Sequence, residues 1–281
     1  MIVILFYKFI TIADPKEFAL LHKKECERLG LTGRMIVAEE GINGTFEGKR
    51  ESIDAYKKFL KSNPLFADVV IKESAGTGKA FPGLKIKVRN EVVTLGAGKF
   101  DVANETAAEL PAGELHKWYE NGEDFVVLDL RNDYEIASGK FEKTIDPGLA
   151  HFRDLPGKLE ELKNLKNKKI VTVCTGGIRC EKATCLLKKE GFTDIYQLKD
   201  GIHTYMQQYP GKNFKGTLFV FDNRLTTDVV QTEGKVVIGK CIYCCGATED
   251  YYSDDSERPS RKVLCCENCF VSKKGTLRTI K

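Results

Sequence analysis

Two groups of cysteines carry the chemistry that this sequence is equipped to perform. The first is the run Val171-Thr172-Val173-Cys174-Thr175-Gly176-Gly177-Ile178-Arg179-Cys180. A β-branched strand ends in a thiol, two glycines follow, and an arginine opens a helical pattern. In a parallel sheet, reactive groups gather at the carboxyl ends of strands. Glycines let backbone N–H groups turn toward one point, and the N-terminus of the next helix adds positive potential. Both favour a thiolate at Cys174, as would Arg179 if it points into the loop. The bland alternative, an inert core thiol at a strand end, explains the cysteine but not the ordered glycines and arginine. The second group is Cys241-Ile242-Tyr243-Cys244 and Cys266-Glu267-Asn268-Cys269, two C-x2-C pairs 21 residues apart. That spacing suits a four-thiolate zinc site in which each pair supplies two ligands. Cys245 and Cys265 lie beside the pairs and leave the choice of four open.

The elements around these groups must hold them. Val3–Phe9 reads as a strand, and Asp14-Pro15 supplies a cap and first-turn proline for a helix through Phe18, Leu21 and Leu29. Met35–Ala38 is a strand, and Asn43-Gly44 is a turn signal into a short strand at Thr45–Phe46. A second helix runs through Ile53, Tyr56, Phe59 and Leu60 and ends before Pro64, and Val69–Ile71 completes a βαββαβ order expected of a ferredoxin-like sandwich. Residues 100–111 read as a linker. Val126–Leu130, Ile170–Val173 and Ile195–Leu198 are buried strands separated by helices, which predicts a parallel sheet covered on both faces. Leu218–Phe221 and Val236–Ile238 are expected as strands in a connecting segment. The tail from Cys241 has too little apolar content for a core without its cysteines. The expected organisation is α/β overall: a ferredoxin-like α+β domain at 1–95, a rhodanese-like parallel-sheet domain at 112–212, and a connecting segment with a small cysteine-rich zinc-binding tail at 213–281.

Charge is unevenly spread. Residues 1–95 carry 16 Lys/Arg against 12 Asp/Glu, residues 96–211 carry 16 against 19, and residues 212–281 carry 12 against 9. Basic flanks around an acidic middle could grip a polyanion. Lys72, Lys79, Lys85, Lys87 and Arg89 form the first choice for an RNA contact; Arg258, Arg261, Lys262, Lys273, Lys274, Arg278 and Lys281 add cations to the tail. Gly76-Thr77-Gly78-Lys79 lacks the earlier glycine and the final Ser/Thr of a phosphate loop, and Gly96-Ala97-Gly98 lacks a third glycine. His22, His116, His151 and His203 show no metal spacing. No flavin, haem, NAD or non-haem iron motif is visible. The apolar start Met1–Ile10 is too short to span a bilayer and has no basic leader, so a cytoplasmic protein without membrane contact is expected.

The loop at Cys174 resembles the rhodanese family, as do Leu128-Asp129-Leu130-Arg131, Glu135 and Gly139-Lys140-Phe141. The resemblance implies a persulfide-carrying cysteine and an architectural role for Asp129 and Arg131. Four residues separate Cys174 from Arg179, where phosphatases of similar shape have five, and Val173 stands where they usually keep histidine. Ordinary rhodaneses place Ser or Thr at Cys180. A second thiol there suits the resolution of an oxidised Cys174, or equally a small core residue. Cys185 reads as core.

Several segments together resemble a narrower family, the oxygen-dependent tRNA uridine(34) hydroxylases: Ala38–Thr45, Cys174–Ala183, Leu218–Arg224 and the cysteine-rich tail. What this implies is 5-hydroxylation of the wobble uridine of tRNA with molecular oxygen as co-substrate, with Cys174 on the family's essential cysteine. The alternative is a rhodanese-type sulfurtransferase carrying a persulfide on Cys174; a third is a non-catalytic RNA-binding module. Asp222 and Arg224 are expected as a surface ion pair of little weight.

Overall fold

A computed structural model describes residues 1–227, 236–256, 260–272 and 275–280. The chain divides into two compact units, Met1–Asn104 and Glu105–Lys281.

The first unit follows the expected order: β1 (Ile2–Phe9), α1 (Pro15–Arg28), β2 (Thr32–Ala38), β3 (Gly41–Gly48), α2 (Arg50–Ser62) and β4 (Ile71–Ala75). The Asp14 carboxylate caps α1 by accepting from the backbone N–H of Lys16 and Glu17, each at 2.9 Å. The strands lie in the order β4-β1-β3-β2, all antiparallel, which is the ferredoxin-like arrangement. Ile4, Phe6, Met35, Val37, Ile42 and Phe46 on one sheet face pack with Ile53, Tyr56 and Leu60 of α2 into a sealed core. A further strand, β5 (Leu84–Val88), adds parallel to β2. It was not expected, because its alternating lysines read as a basic stretch rather than as the outer half of a strand.

The Asn43-Gly44 turn is a correction. Both residues lie inside β3, and the reversal falls at Glu39-Glu40, with Ala38 opposite Gly41. Gly41 takes the positive φ of 142°. A side chain at Gly44 would meet the Phe6 ring at 2.5 Å. Core packing therefore fixes the register and overrides the local turn preference of Asn-Gly. The Asn43 amide donates to the Val92 carbonyl at 3.1 Å instead.

The second unit contains the short helix end at Glu105 of α3 (Val102–Glu105), then β6 (Ala108–Leu110), α4 (Ala112–Glu120), β7 (Val126–Asp129), α5 (Asp133–Ser138), β8 (Gly139–Phe141), β9 (Thr144–Ile145), α6 (Leu155–Lys158), β10 (Ile170–Val173), α7 (Ile178–Lys189), β11 (Ile195–Leu198) and α8 (Gly201–Gln208). Strands β6-β11-β10-β7-β9 form one parallel sheet. Residues 108–110, expected in a linker, are thus an edge strand; three residues are too few to show a pattern. β10 sits centrally and is buried at every position, so its carboxyl end is held from both sides.

Beyond α8 come β12 (Phe214–Gly216), β13 (Leu218–Phe219) and β14 (Thr226–Thr227), the last two paired as a hairpin. Val236–Ile238 is not a strand. The tail holds β15 (Tyr251–Asp254), β16 (Arg261–Leu264), α9 (Glu267–Ser272) and β17 (Leu277–Thr279) in a three-stranded sheet ordered β16-β15-β17. Its small core is Cys241, Val263, Cys265 and Leu277. Among the described residues no helix is long and apolar enough to cross a membrane. Arg258, Lys273, Lys274 and Lys281 lie outside the described residues.

Candidate active site

β10 delivers Cys174 to the loop, and α7 begins four residues later. The Gly177 N–H donates to Cys174 Sγ at 3.2 Å, and Gly177 takes φ 106°, a backbone shape open to glycine. The loop is braced from behind by α8: the N–H groups of Ile202 and His203 donate to the carbonyls of Cys174 and Thr175 at 3.0 and 3.1 Å. Contact is so close that a Cβ at Gly201 would lie 2.7 Å from the Cys174 carbonyl oxygen. On the other flank, the Leu130 N–H donates to the Val173 carbonyl at 2.9 Å.

Cys174 is 1% exposed, and burial alone would push its thiol up. A hydrogen bond from Cys180, the charge of Arg179 and the backbone N–H groups of Arg179 and Cys180 outweigh burial and hold Cys174 well below the ordinary thiol range. Cys180, equally buried, is pushed up by burial and by the neighbouring Cys174. Donors thus surround the Cys174 sulfur.

Arg179 does not turn onto the sulfur. Its guanidinium is clasped by Glu135, Nη1 to Oε1 at 2.6 Å and Nη2 to Oε2 at 2.9 Å, with the Thr175 hydroxyl at 3.4 Å. It acts on Cys174 through space. Glu135 is fully buried and also accepts from the Asn132 N–H at 2.9 Å. A glutamate six residues past a strand gave no sign of this role beyond its place in the rhodanese-like pattern.

The architectural reading of Asp129 and Arg131 agrees with the geometry. Arg131 is 0% exposed; its Nε and Nη2 reach Asp129 Oδ1 and Oδ2 at 2.9 and 2.6 Å, and Nη2 also donates to the Gly139 carbonyl at 2.7 Å. The same fork recurs at Asp222 and Arg224, with 2.8 and 2.5 Å for the equivalent bonds. That pair is not on the surface as expected: its side chains are 2% and 11% exposed. The hairpin at β13 folds back on the site, and burial makes the pair structural. Its turn carries Phe221, whose ring centre lies 5.7 Å from the Arg179 guanidinium carbon.

In the tail, the sulfurs of Cys241, Cys244, Cys266 and Cys269 all lie within 4.8 Å of one another, with Cys244 and Cys266 at 3.6 Å. A tetrahedral S4 centre with metal–sulfur bonds of about 2.3 Å requires sulfurs about 3.8 Å apart, so this set could hold a metal ion. Cys265 is buried and points its thiol at the Cys266 carbonyl, and Cys245 is exposed at φ 60°. Among the described residues the group that could hold a metal is Cys241, Cys244, Cys266 and Cys269, with the Cys265 sulfur 4.0 Å from that of Cys241.

Of the expected RNA contacts, Lys85 and Lys87 stand exposed on one face of β5, and Lys79 and Arg89 are also exposed. Lys72 is a correction: it is 6% exposed and its ammonium lies over the Tyr7 ring at 5.4 Å, because β4 points it onto the sheet rather than outward. The glycine-rich run before Lys79 does cradle an anion, but a resident one. The N–H groups of Gly78 and Ala80 donate to the Glu47 carboxylate at 2.7 and 2.9 Å.

Residues 1–92 match the family described as UPF0176 acylphosphatase like domain, residues 111–208 the rhodanese-like domain, and residues 215–279 the rhodanase C-terminal family. The chain is 41% identical to the tRNA uridine(34) hydroxylase of Aster yellows witches'-broom phytoplasma, over 95% of this chain and 87% of that one. The chain belongs to the tRNA uridine(34) hydroxylase family. Family members of that name from Cytophaga hutchinsonii and Staphylococcus carnosus are 37% and 38% identical, over 97% and 95% of this chain and 87% and 89% of theirs. The match runs through both units, so the ferredoxin-like unit and the tail are parts of the family's common plan rather than additions to a rhodanese core.

Proposed function

We propose that this chain 5-hydroxylates the wobble uridine of tRNA with molecular oxygen, and that Cys174 is the nucleophile. The observation that carries the proposal is the seat of Cys174: its sulfur follows the central strand β10, accepts the Gly177 N–H at 3.2 Å and is hydrogen-bonded by the Cys180 thiol of α7. Cys174 Sγ adds to C6 of uracil, and the C5–C6 electron pair moves to C5, which then attacks O2 to give a C5 hydroperoxide. Hydroxylation leaves the second oxygen atom to be reduced by two electrons. Cys180 takes that atom as a sulfenic acid; C5 then loses its proton, Cys174 departs from C6, and its thiol closes on Cys180 with release of water. Uridine, O2 and two thiols thus become hydroxyuridine, water and one disulfide, which cellular thiols reopen. Arg179 supports the charge on Cys174, and Glu135 holds Arg179 in place.

The name carried by the relatives favours this reading over a persulfide-carrying sulfurtransferase, which the loop alone supports as well. We assign Lys79, Lys85, Lys87 and Arg89 to the tRNA backbone and a structural zinc ion to Cys241, Cys244, Cys266 and Cys269. Residues 1–95, 112–212 and 213–281 are taken as three working parts acting in the cytoplasm.

The direct test is nucleoside mass spectrometry of tRNA treated with the wild-type chain and with Cys174→Ala under 18O2. Wild type should place one 18O in hydroxyuridine, and Cys174→Ala should form at least about 100-fold less. Wild-type-like activity in the variant would remove the nucleophile from the scheme; label arriving from water instead would remove oxygen.

A further inference from the structure

We propose that Phe221 is the platform on which the wobble uracil stacks as it enters the Cys174 loop; this rests on the hydroxylase reading and extends it to how the base is held. Phe221 and Tyr243 carry the two exposed aromatic rings among the described residues, and Tyr243 lies within the first cysteine pair of the tail. Phe221 is 42% exposed yet fixed in place. Fully buried Phe219 meets it edge-on, ring centres 5.4 Å apart and planes at 80°. The turn behind it is closed by the Asp222–Arg224 fork, by the Val220 N–H donating to the Leu225 carbonyl at 2.8 Å, and by the Leu225 N–H donating to the Asp222 carbonyl at 3.0 Å. A scattered surface ring is ordinary; one locked against the arginine that polarises the nucleophile is placed for a purpose.

The reaction supplies the purpose. C6 of uracil is reachable only after the base leaves its neighbours in the anticodon loop, and the lost stacking must be replaced. A rigid aromatic face beside a guanidinium replaces it with little loss of side-chain freedom. Lys262 adds a cation one ring further along, with its ammonium 4.8 Å from the Tyr134 ring centre and 5.9 Å from that of Phe219, suited to a phosphate flanking the splayed base.

The full-length chain should be assayed on an anticodon stem-loop RNA as wild type, Phe221→Ala, Phe221→Leu, Phe221→Tyr and Phe221→Trp. Loss of stacking predicts kcat/KM lower by about 10- to 100-fold in the Ala and Leu variants, with Tyr and Trp within roughly threefold of wild type. Leu preserves apolar bulk, so wild-type rates with Leu would reduce Phe221 to packing and overturn the proposal. A second readout needs no turnover. Trp118, the one native tryptophan, is 9% exposed, so added emission in Phe221→Trp reports position 221. Stem-loop RNA with uridine at the wobble position should quench it, and RNA abasic at that position should not. Equal quenching by both RNAs, or none, rejects the stacking role. Absence of hydroxyuridine with the wild-type chain would instead defeat the hydroxylase reading, and the quenching comparison would still decide the stacking.

Discussion

On the Cys174 proton, burial and the surrounding donors act in opposite directions, and the donors prevail. The folded pKa therefore lies below that of an ordinary thiol, so thiolate persists as pH falls toward neutrality and is lost only on further acidification. Alkylation by iodoacetamide, mapped by mass spectrometry, should reach its plateau at Cys174 below the pH at which a free thiol does. Cys185 is equally buried at 1% exposure, but burial pushes its thiol up to about 11, so it provides the contrast. A Cys174 rate still climbing tenfold per pH unit through pH 8.5 would show that the donors do not win. At this scale the sequence was informative about identity and weak about aim. Strand, thiol, glycines and arginine were legible because each is a local feature. The turning of Arg179 onto Glu135, and the burial of Asp222 with Arg224, depend on segments that meet only in the fold.

Helix α8 holds the loop from behind through the N–H groups of Ile202 and His203. Its first residue, Gly201, takes φ 72° and offers no room for a methyl group against the Cys174 and Gly176 backbones. Gly201→Ala should therefore shift the loop and cost roughly 2 kcal/mol of stability. Because the loop amides must meet the sulfur within a fraction of an ångström, hydroxylation should fall at least about tenfold. Thermal unfolding and turnover measured on the same preparation would check both; full activity at normal stability would mean that α8 does not brace the site. Gly201 went unnoticed in the sequence, since a glycine after Asp200 reads only as a turn. The strands of both sheets were legible wherever apolar residues alternate or run together, as in β1 and β10. β5 and β6 were not, one because its outer face is cationic and one because three residues hold no period.

Across the whole molecule, the tail rests on a small core of four buried residues, one of which, Cys241, also belongs to the cysteine cluster. Zinc analysis of the purified chain should find about one equivalent. Its removal by chelator with a thiol reagent should open residues 241–280 to protease while the parallel sheet keeps its circular dichroism. A metal-free chain whose tail resists protease as before would show that thiols alone hold it. The paired Asp–Arg forks have a different bearing on the molecule. Each spans two positions along the chain and joins an aspartate carboxylate to the arginine's backbone N–H and guanidinium, and Arg131 reaches further to the Gly139 carbonyl. The corner after β7 is consequently tied to β8 as well as closed on itself, and β8 in turn pairs with β12. Loss of the Arg131 guanidinium would therefore free β8 along with the corner, so one substitution would slacken two segments of the parallel-sheet domain at once.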